Sequence, residues 1–234
     1  MTPTQILPVV LIPGMMCDAR MWGGLAVHMA SRPVGHFLPT EADSMSVLAD
    51  QLLKDAPEHF ALAGLSMGGI VAMEVVRQAP DRVKRLALLD TNPCAEAPEV
   101  QAKRQGQINR ALSGRLAVVI KTEMKPNYLA PGPDKGAILD LCLDMALSLG
   151  PEVFARQSRA LRDRPDQQQT LAAFQGPALV LMGQHDRLCP LTRHQLMHRL
   201  MPESRLILIA GAAHLPTLEN PKDTIAALIR WLED

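Results

Sequence analysis

Gly64-Leu65-Ser66-Met67-Gly68 stands between a largely apolar run at 59–63 and a run with a helical pattern at 69–78. A strand, G-x-S-x-G and a helix in this order are typical of a nucleophile elbow, a sharp turn that lifts a serine hydroxyl clear of a sheet. The turn forces the serine into a sparsely populated backbone conformation. The flanking glycines have no Cβ, so the neighbouring backbones can pass close together. The stretch therefore predicts that Ser66 is an activated alcohol nucleophile.

Short apolar runs alternate with helical patterns along most of the chain. Most of the predicted strands are continuously apolar, as strands buried on both faces of a parallel sheet should be. The strands cover 7–12, 35–38, 60–65, 85–90, 178–183 and 205–210, and the helices cover 45–54, 68–78, 192–200 and 224–232. Alternation of this kind, with right-handed crossovers, predicts an α/β protein with a doubly wound, mostly parallel sheet of about six strands.

Residues 94–175 break the alternation, because they contain helical patterns and no good strand. The predicted helices cover 98–114, 116–125, 134–149 and 151–163, with breaks at Pro126 and at 131–133. We expect a core formed by 1–93 and 176–234. Residues 94–175 are then a helical insertion that forms a lid over the carboxyl ends of the strands, where ligands bind in such sheets. The alternative is a helical subdomain with no role in binding.

The acid and the base that a nucleophilic serine needs follow two later predicted strands. Asp186 lies just past the strand at 178–183, and His214 lies just past the strand at 205–210. A serine hydroxyl is a poor nucleophile unless a base takes its proton, and His214 suits that role. Asp90 also ends a predicted strand and is an alternative acid. Its other expected role is to cap the turn into the insertion.

The chain resembles the α/β-hydrolase fold superfamily, and its serine carboxylesterase-like branch, over nearly its whole length. The resemblance is carried by LIPGM at 11–15, GLSMGG at 64–69, GQHD at 183–186 and GAAHLP at 211–216. It implies that Ser66 is the nucleophile, that His214 is the general base and acid, and that Asp186 orients the imidazole. It also implies a shortened fold, whose first strand corresponds to the third strand of the family.

The resemblance further implies an oxyanion hole built from two backbone N–H groups. Met67 directly follows the nucleophile at a helix N-terminus, where the helix dipole also favours negative charge. Met15, in the loop after the first strand, is the second expected donor, and Met16 is its alternative. Many family members have His-Gly where this chain has Pro13-Gly14, so the hydrogen bonds that support this loop are an open question.

These features predict a serine hydrolase that cleaves a carboxylic ester of a small or medium acyl substrate through an acyl-enzyme. Met16 and Met145 are candidates for an aliphatic substrate pocket, with ordinary core packing as the alternative. Thioesterases, lactonases, C–C bond hydrolases and cofactor-free haloperoxidases use the same triad. A non-catalytic ligand-binding protein is a further alternative.

Four arginines recur at near-helical spacing within the insertion, at positions 156, 159, 162 and 164. They are either a binding site for an acidic carrier protein or a solvated helix face, and we favour the solvated face. A carrier protein is therefore an alternative partner beside a small-molecule acyl substrate.

Charge and composition exclude several other functions. The chain has 24 basic and 24 acidic residues and no formal net charge, which argues against a nucleic-acid or membrane-surface binder. Its four cysteines are widely spaced, which predicts reduced thiols and a cytoplasmic protein. No metal-ligand spacing, P-loop or dinucleotide-binding pattern is present in the sequence, so we expect neither a metal nor a cofactor.

Overall fold

Six parallel strands form the centre of the protein, whose computed structural model describes residues 6–29, 31–124 and 128–233. The strand order is β2-β1-β3-β4-β5-β6, and every neighbouring pair is parallel. The bounds are Val9–Ile12 (β1), Val34–His36 (β2), Phe60–Leu65 (β3), Val83–Leu89 (β4), Ala178–Gly183 (β5) and Arg205–Ile209 (β6). The predicted fold class is confirmed, and only strand ends are shifted. The continuously apolar strands β3 and β5 are buried along their whole length.

Helices cover both faces of the sheet, as a doubly wound arrangement requires. Helices α2, α3 and α8 pack on one face, and α1 and α10 pack on the other. The bounds are Leu25–His28 (α1), Met45–Asp55 (α2), Met67–Gln78 (α3), Pro98–Arg110 (α4), Leu116–Val119 (α5), Lys135–Arg162 (α6), Gln168–Ala173 (α7), Leu191–Leu200 (α8), Pro216–Glu219 (α9) and Pro221–Glu233 (α10). No helix in the described ranges has the length and apolar character needed to cross a membrane.

Helices α4 to α7 lie between β4 and β5, and the described part of this segment contains no strand. Gly114 breaks the first helical stretch at a positive φ of 82°. The two helices predicted at 134–149 and 151–163 are both present as the two halves of α6, which are separated by Gly150, whose φ of 84° and ψ of 172° are not helical. The break falls here because Pro151 cannot donate a backbone hydrogen bond, and a glycine tolerates positive φ. The predicted break at Pro126 and the predicted helix end at Lys125 lie outside the described residues.

The strand order reverses between β1 and β3, because β2 lies outside β1 whereas β4 to β6 lie beyond β3. Ligands of open α/β sheets bind at the carboxyl ends of strands where such a reversal opens a crevice. The loops that leave β1 and β3 contain Gly14 and Ser66 respectively. The topology thus places the nucleophile elbow beside the loop expected to carry the oxyanion hole.

Candidate active site

Ser66 lies in the sharp turn between β3 and α3 with φ 54° and ψ −116°. A positive φ is costly for a residue with a side chain, so the surrounding structure must hold it. The glycines on either side are sterically required, since a Cβ on Gly64 would lie 2.2 Å from the Gly68 carbonyl oxygen and one on Gly68 would lie 2.1 Å from that of Ile12. The Thr91 hydroxyl also donates to the Ser66 carbonyl at 2.7 Å. The elbow is therefore fixed by close backbone packing as well as by hydrogen bonds.

A chain of short hydrogen-bond distances links Ser66, His214 and Asp186. The Ser66 Oγ lies 2.9 Å from His214 Nε2, and His214 Nδ1 lies 2.9 Å from Asp186 Oδ2. The histidine is 4% exposed and the aspartate 6%, whereas the serine is half-buried. This arrangement can move a proton from the hydroxyl to the imidazole and orient the resulting imidazolium.

The second carboxylate oxygen of Asp186 is held by its own loop. Asp186 Oδ1 accepts hydrogen bonds from the N–H groups of Leu188 at 2.8 Å and Cys189 at 3.1 Å. Burial opposes the charged carboxylate, but His214 and these two N–H groups outweigh burial and lower the pKa of Asp186. The carboxylate is therefore ionised and oriented at neutral pH.

Asp90, the alternative acid, contacts a different group. Its side chain is fully buried, and its Oδ1 accepts the N–H of Gly183 at 2.9 Å. Burial, followed by the neighbouring charge of Asp186, raises the pKa of Asp90 well above its usual value. The sequence led us to expect that Asp90 caps the turn into the insertion. Its side chain instead supports the end of β5, from which the Asp186 loop departs. Its positive φ of 44° turns the chain there.

The loop that carries His214 is supported by two residues that the sequence did not single out. Glu219 Oε2 accepts the N–H groups of Ala213 at 2.9 Å and Leu215 at 3.0 Å. The N–H of His214 donates to the Tyr128 carbonyl at 2.9 Å, and the two side-chain rings lie 5.9 Å apart. Neither contact has a local sequence signal, because neither residue belongs to a motif.

The loop after β1 holds the expected oxyanion donors and is supported from a distance. The Met16 N–H donates to Gln157 Oε1 at 2.8 Å, and Gln157 Nε2 donates to the Pro39 carbonyl at 3.0 Å. Gln157 is fully buried, so both of its hydrogen bonds are shielded from water. This amide provides a support for the loop where the chain has Pro13 instead of the histidine common in the family. Met67, the other expected donor, is the first residue of α3. Its N–H has no acceptor within the helix, because the first N–H groups of a helix have no partner one turn earlier.

A cavity of about 570 Å³ opens at the elbow. It is lined by Met15, Ser66, Met67 and His214, and also by residues of α4 and by Arg164 and Arg193. Met16 and Met145 do not line it: Met16 is 2% exposed, and Met145 is fully buried with its sulfur accepting the N–H of Asp18 at 3.4 Å. The structure therefore places these two candidate pocket residues in the packing beneath the site.

One set of side chains in the described part of the chain has the spacing of a metal site. Asp186, Cys189 and His214 can each bring one ligand atom within 4.8 Å of the others. The carboxylate and the imidazole are already hydrogen-bonded to each other, so the same atoms serve the serine relay.

The row of arginines at 156–164 is largely engaged within the protein. Arg156 donates to a backbone carbonyl at 2.7 Å, and Arg162 pairs with Asp163 at 2.7 Å. Arg164 is buried against Glu96, with 2.7 Å between Nη1 and Oε1. Three of the four guanidinium groups therefore have acceptors, and the row is not a single face of unpaired charge.

Comparison with known proteins identifies the family of the chain. A pimeloyl-[acyl-carrier protein] methyl ester esterase from Klebsiella pneumoniae (strain 342) is 29% identical over 234 residues, covering 91% of this chain and 88% of the relative. A solved thermophilic esterase from Thermogutta terrifontis with malate bound is 29% identical with a TM-score of 0.89, covering 97% and 89% of the two chains. The enol-lactonase from Burkholderia xenovorans LB400 shares the fold at 20% identity, with a TM-score of 0.85 and coverage of 98% and 92%. A model of the alpha/beta hydrolase family matches residues 9–228, so the predicted resemblance is confirmed and the chain belongs to the alpha/beta hydrolase family.

Proposed function

We propose that the protein hydrolyses carboxylic esters through a covalent acyl-enzyme. Ser66 is the nucleophile, His214 is the general base and then the general acid, and Asp186 orients the imidazole. The observation that carries this proposal is the relay from Ser66 Oγ through His214 to a buried carboxylate, with both contacts at 2.9 Å. The similarity to two proteins described as esterases supports the same reaction class.

The reaction follows from the positions of these groups. His214 Nε2 takes the proton of Ser66 as its Oγ attacks the acyl carbonyl, and Asp186 stabilises the imidazolium that results. Collapse of the tetrahedral intermediate breaks the ester C–O bond, and His214 gives its proton to the departing alkoxide. A water molecule then gives a proton to His214 and attacks the acyl-enzyme, which releases the acid and regenerates the serine.

We assign the oxyanion hole to the backbone N–H groups of Met15 and Met67. Met16, the alternative donor, already donates its N–H to Gln157, and it does not line the cavity, whereas Met15 and Met67 do. Preorganised donors of this kind contribute strongly, since loss of one such donor in subtilisin costs roughly 10²–10³ in kcat.

The cavity and the relatives bear on the substrate class. A cavity of about 570 Å³ suits a small or medium acyl group. A second candidate is a methyl ester on an acyl chain held by a carrier protein, and the name of the K. pneumoniae relative favours it. Two arginines of the row are paired with acidic side chains of the protein itself, because Arg164 is buried against Glu96 and Arg162 contacts Asp163. Thioesters, lactones and C–C bonds remain alternatives for the same triad, and a substrate panel separates them.

Substitution of the serine tests the proposal directly. In subtilisin, loss of the catalytic serine lowers kcat by about a million-fold, so Ser66→Ala should abolish hydrolysis of p-nitrophenyl acetate and labelling by a fluorophosphonate. Ser148→Ala is the matched control, because this exposed serine on α6 contacts only a carbonyl one helical turn away. A Ser66→Ala protein that retained near wild-type turnover would show the assignment to be wrong.

A further inference from the structure

Two arginines pair with one glutamate on the wall of the active-site cavity, and a third arginine contacts a neighbouring cysteine. Glu96 accepts Arg104 through both carboxylate oxygens, with Nη2 at 2.7 Å from Oε1, and it accepts Arg164 Nη1 at 2.7 Å. Arg164 Nε also donates to the Cys94 carbonyl at 3.0 Å, and Arg193 Nη1 lies 3.0 Å from the sulfur of the same cysteine. We call Glu96, Arg104, Arg164 and Arg193 the arginine cluster.

The cluster carries more positive than negative charge, and its inner members are buried. The side chains of Glu96, Arg164 and Arg104 are 3%, 8% and 12% exposed. Two guanidinium groups share this single carboxylate, and Arg193 adds a third positive charge. Uncompensated charge out of water is costly. Burial lowers the pKa of Arg164; the charge of Glu96 opposes this shift, and the charge of Arg104 adds to it.

Other charged groups on the cavity wall do not balance this excess. Glu123 is paired with Arg110 at 2.8 Å. Glu99 and Lys103 are both exposed on α4 and carry opposite charges. Across the described part of the cavity wall, the arginine cluster therefore keeps an excess positive charge.

The cluster is part of the reaction cavity and not a separate surface feature. Arg104, Arg164 and Arg193 line the same cavity as Ser66 and His214. Arg104 Nη1 also lies 3.9 Å from the sulfur of Met15, the residue assigned to the oxyanion hole. Arg193 has the most remaining capacity to donate hydrogen bonds, because its side chain contacts a cysteine sulfur, which is a weak acceptor.

We propose that the arginine cluster is an anion subsite, which binds a carboxylate or phosphate oxygen on the substrate while the ester lies at Ser66. This inference rests on the proposed function and extends it, because it assigns a charged end to the acyl substrate. Arg193 is the expected contact, since a guanidinium presents a planar pair of donors that matches carboxylate and phosphate geometry.

Three matched methyl esters of a six-carbon acyl group test the subsite. Their far ends are a carboxylate, a phosphate or a neutral methyl ester, and kcat/KM is measured from methanol release. Wild type should prefer at least one anionic ester. Arg193→Gln should reduce that preference by about tenfold or more, as expected for loss of a hydrogen bond between charged groups. Whichever anionic ester shows the effect identifies the oxyanion.

The variants are chosen to separate binding from folding. Arg199→Gln, on the exposed side of the same helix α8, is the matched control and should keep the wild-type preference. Arg193→Lys keeps the charge but loses the planar fork, and should give an intermediate preference. Absence of any preference for an anionic ester in the wild type, or an equal preference in Arg193→Gln, would overturn the subsite.

Binding without chemistry distinguishes failure of the subsite from failure of the proposed function. Adipate and inorganic phosphate are titrated into the Ser66→Ala protein by calorimetry, with and without Arg193→Gln. Binding that weakens about tenfold or more in Arg193→Gln supports the subsite even if the wild type hydrolyses none of the three esters. Binding that is absent, or that does not depend on Arg193, contradicts the subsite even if every ester is hydrolysed.

Discussion

Replacement of Gln157 by methionine should impair the candidate oxyanion loop without touching the triad. Methionine is close to glutamine in length and can fill the same buried space, but it cannot reproduce either hydrogen bond of the amide. The Met16 N–H would lose its acceptor and the Pro39 carbonyl its donor, at a site with no access to solvent. The loop that carries Met15 would keep the hydrogen bond of its own turn, from the Cys17 N–H to the Gly14 carbonyl at 3.2 Å, and otherwise weak contacts to methionine sulfurs.

The size of the effect can be worked from these contacts. A buried polar group left without a partner costs about 1–3 kcal/mol, so two such groups cost about 2–6 kcal/mol of folding stability. For a chain of this length, 1 kcal/mol shifts the melting temperature by roughly 2–4 °C, and the expected loss is therefore about 4–24 °C. If Met15 is an oxyanion donor, disorder of its loop should also lower kcat, by as much as the roughly 10²–10³ seen when such a donor is lost.

The assay compares kcat for p-nitrophenyl acetate at a temperature at which every variant remains folded. Ser158→Ala is the matched control, because Ser158 is the next residue of α6, is fully buried, and has a hydroxyl with no partner in the described structure. We expect Ser158→Ala to keep wild-type kcat and to be neutral or stabilising. If Gln157→Met loses stability but keeps the kcat of the control, then the glutamine has a purely structural role and Met15 is not positioned by this contact.

Three further outcomes follow from the site. Gly68→Ala should destabilise the protein by about 3 kcal/mol or more, because its Cβ would lie 2.1 Å from a backbone oxygen of β1. Denaturant unfolding measures this loss, with Gly106→Ala as the control, because the nearest atom to a Cβ there is the flexible end of the Arg110 side chain at 3.4 Å. Asp186→Asn should lower kcat by about 10⁴, whereas Asp90→Asn keeps the acceptor for the Gly183 N–H and should retain most activity; the opposite ranking would identify Asp90 as the triad acid. Burial lowers the pKa of His194 to about 4. As the pH falls, the unfolded chain therefore protonates this histidine before the folded chain does. His194 should lower the free energy of unfolding by roughly 3 kcal/mol as the pH falls from about 6.5 to 4. His194→Gln should flatten that part of the curve of unfolding free energy against pH, and an unchanged slope would contradict the assignment. The raised pKa of Asp90 stabilises the folded protein as the pH falls through this window, but Asp90 is present in both proteins and its contribution cancels in their comparison.

The sheet and the elbow could be predicted because their signals are local. A continuously apolar run between turn residues marks a strand buried on both faces, and β3 and β5 match their predicted bounds. The turn at Ser66 was predictable, because the backbone packs too closely there to leave room for a Cβ at positions 64 and 68. The break in α6 was predictable as well, because Gly150-Pro151 signals an interruption between two helical patterns, and the non-helical φ and ψ fall at Gly150.

The supports of the site could not be predicted, because they join residues that are far apart in the chain. Gln157 meets Met16 across 141 positions, and a buried glutamine in a helix gives no sign of the loop that it will contact. Asp90 and Asp186 both end strands, and the sequence alone does not say which carboxylate will face the imidazole. Which carboxylate contacts His214 depends on the direction of the backbone at each aspartate. Asp90 has a positive φ and accepts the N–H of Gly183, whereas Asp186 contacts His214.

The same contacts constrain how the insertion can admit a substrate. The second half of α6 is buried at Phe154, Gln157, Ser158 and Leu161, and its glutamine holds the loop after β1. Lifting this half of α6 would break both buried hydrogen bonds of Gln157 and release the candidate oxyanion loop at the moment when the reaction needs it fixed. Helix α4 differs, since Ile108 is the only residue buried within it although the helix forms much of the cavity wall. Movement of α4 would spare these hydrogen bonds but would break the ion pair between Arg104 and Glu96, whose side chains are 12% and 3% exposed. If the insertion acts as a lid, movement of either helix therefore breaks a largely buried polar contact.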